Sequence, residues 1–245
     1  GPTTAPAHSS PIPAPAPAIR PLVELHSAAF AWPGGLPVVQ GLSLPVDEGD
    51  LLVIVGDTGA GKSTLLAGLA GALPPCAGTC LLQEGVRRAY VPQRPWLQHL
   101  SIQRNILFGM RFQEARYRAT VQACALDADL RALAAGDATC AGEQGVQLSG
   151  GQQQRIALAR AVYSDADVHL LDDVLSAVDA HTGAHLWQHV LCGALRTKTR
   201  ILCTHQVQYL SRPEVTRIVV LRGEGPVIGT YQELVQQGVN FGSLQ

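Results

Sequence analysis

The sequence predicts an α/β fold with a mainly parallel sheet at its centre, and three observations carry that expectation. Strand-like apolar runs alternate with helical segments along most of the chain, which sets strands side by side with helices as crossovers. The run Leu51-Leu52-Val53-Ile54-Val55 leads directly into Gly56-Asp57-Thr58-Gly59-Ala60-Gly61-Lys62-Ser63-Thr64, which fits G-x-x-x-x-G-K-[ST] in the order strand, loop, helix. A second buried run, Val168-His169-Leu170-Leu171, ends in the adjacent carboxylates Asp172 and Asp173.

Taken in order, residues 1–20 are almost chargeless and rich in Pro, Ala, Ser and Thr, as an extended linker would be. Gly1-Pro2 without an initiator Met suggests a protease-cleavage scar on a piece of a longer protein, a natural processed terminus being the alternative. From Leu22 to Val46 apolar and polar residues alternate around Pro33-Gly34-Gly35, which predicts antiparallel strands joined by a turn. A helix is expected over Ser63 to Ala72, stopped by Pro74-Pro75, then short strands at Gly78 to Gln83 and Arg88 to Val91. Helical patterns with few β-branched runs fill 98–165. After the Val168 strand come a helix (Ala180 to Leu191), strands at Arg200 to Cys203 and Thr216 to Leu221, and a last helix near Tyr231 to Gln237.

Composition narrows the function classes. With 245 residues, 47% of them hydrophobic, the chain has enough material for a substantial core. A net charge of −1 argues against a nucleic-acid stripe, and 15% charged residues leave surface suited to being covered. No apolar run approaches the ~18 residues of a membrane span, so direct insertion is not expected and any membrane link comes through other segments or partners. Six cysteines form no C-x-x-C pair and follow no secretory signal, as reduced cytosolic thiols would. Cys76-x-x-x-Cys80 lacks two further ligands nearby for a metal.

The glycine-rich loop has a direct chemical reading. Its backbone N–H groups turn inward around phosphate oxygens, and the following helix points its positive end at the same place. Lys62 is positioned to reach the β- and γ-phosphates, and the Ser63 hydroxyl to join the shell of a Mg²⁺. Leu148-Ser149-Gly150-Gly151-Gln152 opens another helix with a hydroxyl and two glycines that expose N–H groups, a second phosphate-facing start.

With the loop at 56–64, Gln93, the 148–152 segment, Asp172 and His205 in this order, the chain resembles the nucleotide-binding domain of an ATP-binding cassette protein over about Leu22 to Leu234. Tyr90-Val91-Pro92-Gln93, Trp96, Asn105-Ile106-Leu107-Phe108-Gly109 and Ser176-Ala177-Val178-Asp179-Ala180-His181 resemble the C subfamily, the multidrug-resistance-associated transporters. A short gap of 31 residues between Lys62 and Gln93, and Asp173 where a glutamate is usual, resemble the first of that subfamily's two nucleotide domains. Val174 in place of a proline and Gln153 in place of a lysine depart from the subfamily pattern.

The resemblance implies a P-loop NTPase core with a mainly parallel sheet, an antiparallel β subdomain and a helical signature-motif subdomain at about 98–165, all within 21–245. It implies ATP and Mg²⁺ as cofactors. Trp32, thirty residues before Lys62, would stack on adenine, with Phe30 the competing aromatic. Gly56 to Thr64 would hold the phosphates, while Ser63, Gln93 and Asp172 would hold the metal. Gln93, Asp173 and His205 would act on the γ-phosphate and its attacking water, with Asp173 a slow base because its carboxylate sits one methylene short. Ser149, Gly150, Gly151 and Gln152 would complete the ATP site of a second nucleotide-binding domain, and Asp179 would face that domain. The partners implied are this second domain and the transmembrane domains of the same transporter, at the cytoplasmic face of a membrane, with no nucleic acid. Hydrolysis belongs to the full transporter and is weak at this domain's own site. Two alternatives stand beside this reading: a regulatory module without useful turnover, and a soluble cassette ATPase of DNA repair or translation. Against the latter, only 55 residues separate Gln93 from Leu148, too few for a long coiled coil. His181, His185 and His189 share one helix face, but eight residues advance ~12 Å, too far for the outer two to share one ion.

Overall fold

The computed structural model describes residues 21–141, 147–223 and 225–243. The Pro/Ala-rich segment expected to be a linker, 1–20, lies outside the described residues. Strands β1 (Val23–Phe30) and β2 (Val39–Val46) pair antiparallel, with Val23 opposite Val46 and Phe30 opposite Val39, as the alternating pattern predicts. Next come β3 (Leu51–Gly56), α1 (Lys62–Leu69) and β4 (Ala77–Leu82). The last pairs with the free side of β1, giving a three-stranded sheet in the order β2-β1-β4.

Helix α1 is shorter than expected. It ends before Pro74-Pro75, because Gly71 takes φ +79° and the Ala72 and Gly71 amides donate back to the Ala67 and Gly68 carbonyls at 3.0 and 2.9 Å. This is a glycine-terminated helix end, in which the left-handed residue satisfies carbonyls that the helix leaves free.

β5 (Arg88–Val91) is followed by helices α2 (Ile102–Leu107), α3 (Glu114–Ala123), α4 (Asp127–Ala132) and α5 (Gly150–Tyr163). Then follow β6 (Val168–Asp172), α6 (Ala180–Leu186), β7 (Thr199–Cys203), β8 (Arg217–Leu221), β9 (Val227–Gly229) and α7 (Tyr231–Gln236). The helix expected to stop at Leu191 instead continues from α6 as a π-helical stretch, Trp187–Ala194. β9 is an element the sequence pattern did not predict; it is three residues long and follows Gly225-Pro226.

The central sheet runs β5-β6-β7-β3-β8-β9, parallel throughout except for the last pair. β3 lies in its interior and all six of its residues are buried, which is why its sequence is continuously apolar and does not alternate. Leu52 and Ile54 join the core beneath the three-stranded sheet, with Phe30, Leu65 and Leu66. Val53 and Val55 face the opposite side, with Ile218, Val220 and Leu234. A third core joins the helices of 102–163 to β6, through Ile106, Ile156, Tyr163 and Leu171.

α5 is tied at its far end to the segment after β5. The Arg160 guanidinium donates to the Asn105 carbonyl at 2.9 Å, the Asn105 Oδ1 at 3.0 Å and the Trp96 carbonyl at 3.3 Å. It also lies over the Trp96 and Phe108 rings, 4.4 and 4.8 Å from their centroids. No helix among the described residues is long and apolar enough to cross a membrane.

Candidate functional site

Four parallel strands deliver their carboxyl ends to one place, the usual ligand position in such sheets. β3 ends in the glycine loop, β5 leads to Gln93, β6 ends in Asp172 and Asp173, and β7 leads to His205. Thr58, Gly59, Gly61, Lys62, Ser63, Thr64, Gln93, Asp172, Asp173 and His205 line a single cleft of about 280 Å³, together with Val38. Gly56, Asp57 and Ala60 complete the turn of the loop behind it, where the Ala60 amide donates to the Asp57 carbonyl at 3.1 Å.

Lys62 is buried, and its ammonium donates to the carbonyls of Gly56 at 2.6 Å and Asp57 at 3.0 Å. Burial pushes its pKa down, while the carboxylates of Asp173, Asp172 and Asp57 push it back up. The Asp172 carboxyl is displaced the other way. Burial lifts it above the usual range, the Ser63 hydroxyl opposes that, and the neighbouring Asp173 charge adds to the rise.

Asp173 sits in the left-handed region at φ +51°, an uncommon conformation for a side-chain-bearing residue. Its amide donates to the Cys203 carbonyl at 2.9 Å, and its own carbonyl accepts from the Ser176 hydroxyl at 2.8 Å. These bonds hold the carboxylate at the cleft: Oδ2 accepts from Gln93 Nε2 at 3.3 Å, and Oδ1 is buried without a hydrogen-bond partner among the described residues. The loop carrying His205 is fixed from its neighbour, since Gln206 Nε2 donates to the Leu175 carbonyl at 3.0 Å.

The two aromatic candidates separate cleanly. Phe30 is fully buried, and its ring occupies the space where a side chain on Gly68 would stand, so it is a core residue under α1. Trp32 is 52% exposed, and its indole Nε1–H donates to the Thr64 hydroxyl at 3.1 Å, placing an aromatic face beside the loop.

Ser149, Gly150, Gly151 and Gln152 do not line this cleft. Ser149 caps α5 by accepting from the Gln152 amide at 3.2 Å, and Gln152 Oε1 accepts from the Ser149 amide at 2.9 Å. A Cβ at Gly151 would come within 2.8 Å of the Ala177 carbonyl, so close packing excludes any larger residue there; at Gly150 it would meet open space. Asp179 caps α6, accepting from the Thr182 amide at 2.9 Å and hydroxyl at 2.7 Å.

Tyr90 was not singled out as a site residue. Its phenol donates to Asp172 Oδ2 at 3.5 Å, and its pKa is pushed up to about 12, first by burial and then by the Asp172 charge, so it keeps its proton. Val38 was likewise missed. Neither had a local signal, because the contacts depend on strand pairing between distant segments. Among the described residues no cluster of three or more His, Cys, Asp or Glu is placed to hold a metal. His185 faces the Gln122 carbonyl at 3.0 Å and lies beside the His189 ring, with centroids 4.2 Å apart and planes tilted by 33°.

A family model described as ABC transporter matches residues 39–176. The chain is 47% identical over 226 residues to ATP-binding cassette sub-family C member 4 of Mus musculus, covering 91% of this chain and 17% of that protein. It is 44% identical over 226 residues to sub-family C member 3 of Homo sapiens, covering 91% and 14%. To ABC transporter C family member 7 of Arabidopsis thaliana it is 42% identical over 225 residues, covering 91% and 15%. The chain thus spans about a sixth of the length of these relatives.

Proposed function

We propose, from the premise that this chain belongs to the ABC transporter family and is an ATP-binding domain of its C subfamily, that it binds Mg-ATP in the cleft at the ends of β3, β5, β6 and β7. It then closes on a second nucleotide-binding domain of the same transporter, at the cytoplasmic face of the membrane, and that closure drives transport through the transmembrane domains. One observation carries this reading: the cleft gathers Lys62, Ser63, Gln93, Asp172, Asp173 and His205, while the Ser149–Gln152 segment lies outside it. One chain thus carries two half-sites, each of which is completed by a partner domain.

The residues present suit Mg²⁺. The Ser63 hydroxyl, the Gln93 amide oxygen and the Asp172 carboxylate are hard oxygen donors, and the cleft also holds a buried acceptor, Asp173 Oδ1, with no hydrogen-bond partner among the described residues. When bound, the ion would neutralise charge on the phosphates. Of this chain's own groups, Lys62 would exchange its carbonyl partners for phosphate oxygens, and the exposed Trp32 face would take the adenine. Asp173 would orient the attacking water from a carboxylate one methylene short of a glutamate's, so this site would hold ATP far longer than it takes to hydrolyse it elsewhere. That same short side chain favours a second reading, a regulatory module without useful turnover.

Lys62→Ala is expected to abolish ATP binding while circular dichroism stays unchanged, because the ammonium neutralises phosphate charge and belongs to no apolar face. Nucleotide titration of the folded variant checks this, and unchanged affinity would refute the phosphate assignment.

A further inference from the structure

The segment that the proposed function sets against a partner's nucleotide is gripped from one side by a single carboxylate. Asp129, on α4, accepts from Gln152 Nε2 at 2.8 Å through Oδ1 and from Arg155 Nη1 at 2.5 Å through Oδ2. Each contact leads on to the segment's backbone. Gln152 Oε1 accepts from the Ser149 amide at 2.9 Å, and Arg155 Nε donates to the Gly151 carbonyl at 3.3 Å. Arg155 Nη1 also donates to the Ala125 carbonyl, at the end of α3, where φ is +53°.

The side chains of Asp129 and Arg155 are only 19% and 14% exposed, so the pair is weakly screened and holds its geometry better than a surface pair would. The opposite side of the segment is closed by the contact between Gly151 and the Ala177 carbonyl. With its other side packed against the Ala177 carbonyl, the Ser149–Gln152 turn is tied on this side through both Gln152 and Arg155 to the Asp129 carboxylate.

We propose that Asp129 is a positioning residue for the partner's ATP site: it fixes the direction in which the Ser149 hydroxyl and the N–H groups at the start of α5 are presented to a nucleotide held by the second domain. This rests on the reading that the segment acts on a partner's nucleotide. Asp129 touches no nucleotide itself; its effect passes through Gln152 and Arg155. Losing it would leave α5 packed on the helical core, through Ile156 and Tyr163, while freeing the first turn. Misplacement of donors by about 1 Å costs up to ~100-fold in rate.

The test uses the full transporter containing this chain, with kcat and KM for ATP hydrolysis measured beside ATP affinity at this chain's own loop. Asp129→Ala is expected to lower kcat about tenfold or more, to leave affinity at the Lys62 site within about twofold, and Asp129→Glu to recover part of the loss. If Asp129→Ala fails to assemble, Asp129→Asn, which keeps the shape and loses the charge facing Arg155, is expected to lower kcat severalfold. An unchanged kcat in the variant that assembles overturns the proposal, as does an equal fall in kcat and in own-site affinity, the mark of a general structural staple. Gly150→Asp, at a position where an added side chain meets open space, separates the two levels of the argument. If it abolishes hydrolysis and the Asp129 variants do not alter it, only the positioning role fails; if Gly150→Asp has no effect, the reading of the segment fails and the proposal with it.

Discussion

Two side chains decide how this site would treat ATP, and each makes a measurable difference. Trp32 offers an exposed indole face whose N–H is already engaged by Thr64, so on the proposed function it would contribute stacking and not recognition of base edges. Trp32→Ala is expected to weaken ATP and GTP alike by about 1–3 kcal/mol. Titration with both nucleotides checks this, and a loss confined to one base would contradict stacking. Asp173 is held in the left-handed region by its bonds to Cys203 and Ser176, so on the proposed function its carboxylate would approach the attacking water from one methylene farther back than a glutamate's. Asp173→Glu, in an assembled pair with the partner's own site disabled, is expected to raise single-turnover hydrolysis tenfold or more, about 1.4 kcal/mol of barrier, without tightening ATP. If the wild-type chain already turns over as fast as the variant, Asp173 is a competent base.

Among the elements, β6 combines the site with an acid-sensitive core. Its five residues are all buried, and the strand that ends in Asp172 carries His169 in its middle. His169 Nε2 donates to the Ala161 carbonyl at 3.2 Å and Nδ1 has no partner among the described residues, so the ring is neutral. Burial pushes its pKa down from 6.5 to about 4, opposed by the Ala161 carbonyl and reinforced by Lys198 and Arg200. The folded value lies below the unfolded one, so this contribution is fully present above pH 6.5 and is lost as pH falls toward 4. Between those values the unfolded chain binds a proton that the folded chain does not, worth about 3 kcal/mol. Urea unfolding at pH 7 and at pH 4.5 should therefore show a smaller acid loss in His169→Leu than in wild type, and equal losses would refute the assignment. The local signals that placed β6 and the loop after β3 were strong, because apolar runs with glycine or carboxylate ends are legible residue by residue. The end of α1 was misjudged because Gly71 stops the helix by backbone conformation before Pro74 can stop it by steric conflict. The π-helical continuation of α6 and the three-residue β9 leave no periodic pattern to read.

For the whole molecule, the isolated chain is expected to be largely monomeric with little ATPase activity, because its own cleft lacks the segment that a second domain would supply. Sedimentation with ATP and Mg²⁺ checks this, and a tight, fast-hydrolysing homodimer would contradict it. The cleft was legible in the sequence as motifs, yet what holds it together was not. The Tyr90–Asp172 contact spans 82 residues, the Gln93–Asp173 contact 80, and the grip of Asp129 on Gln152 joins helices 23 residues apart. Such contacts arise from strand order and helix packing, which no single stretch of sequence encodes. The fold also joins the two ends of α5 to different tasks. Ser149 and the glycines stand at one end, and Arg160 clamps Asn105, Trp96 and Phe108 near the other. At 1.5 Å per residue these 14 residues form a strut of about 21 Å, uninterrupted by proline or a π-bulge. A displacement of the helix as a whole would therefore be felt at both ends, at the Ser149 turn and at the Trp96–Phe108 surface.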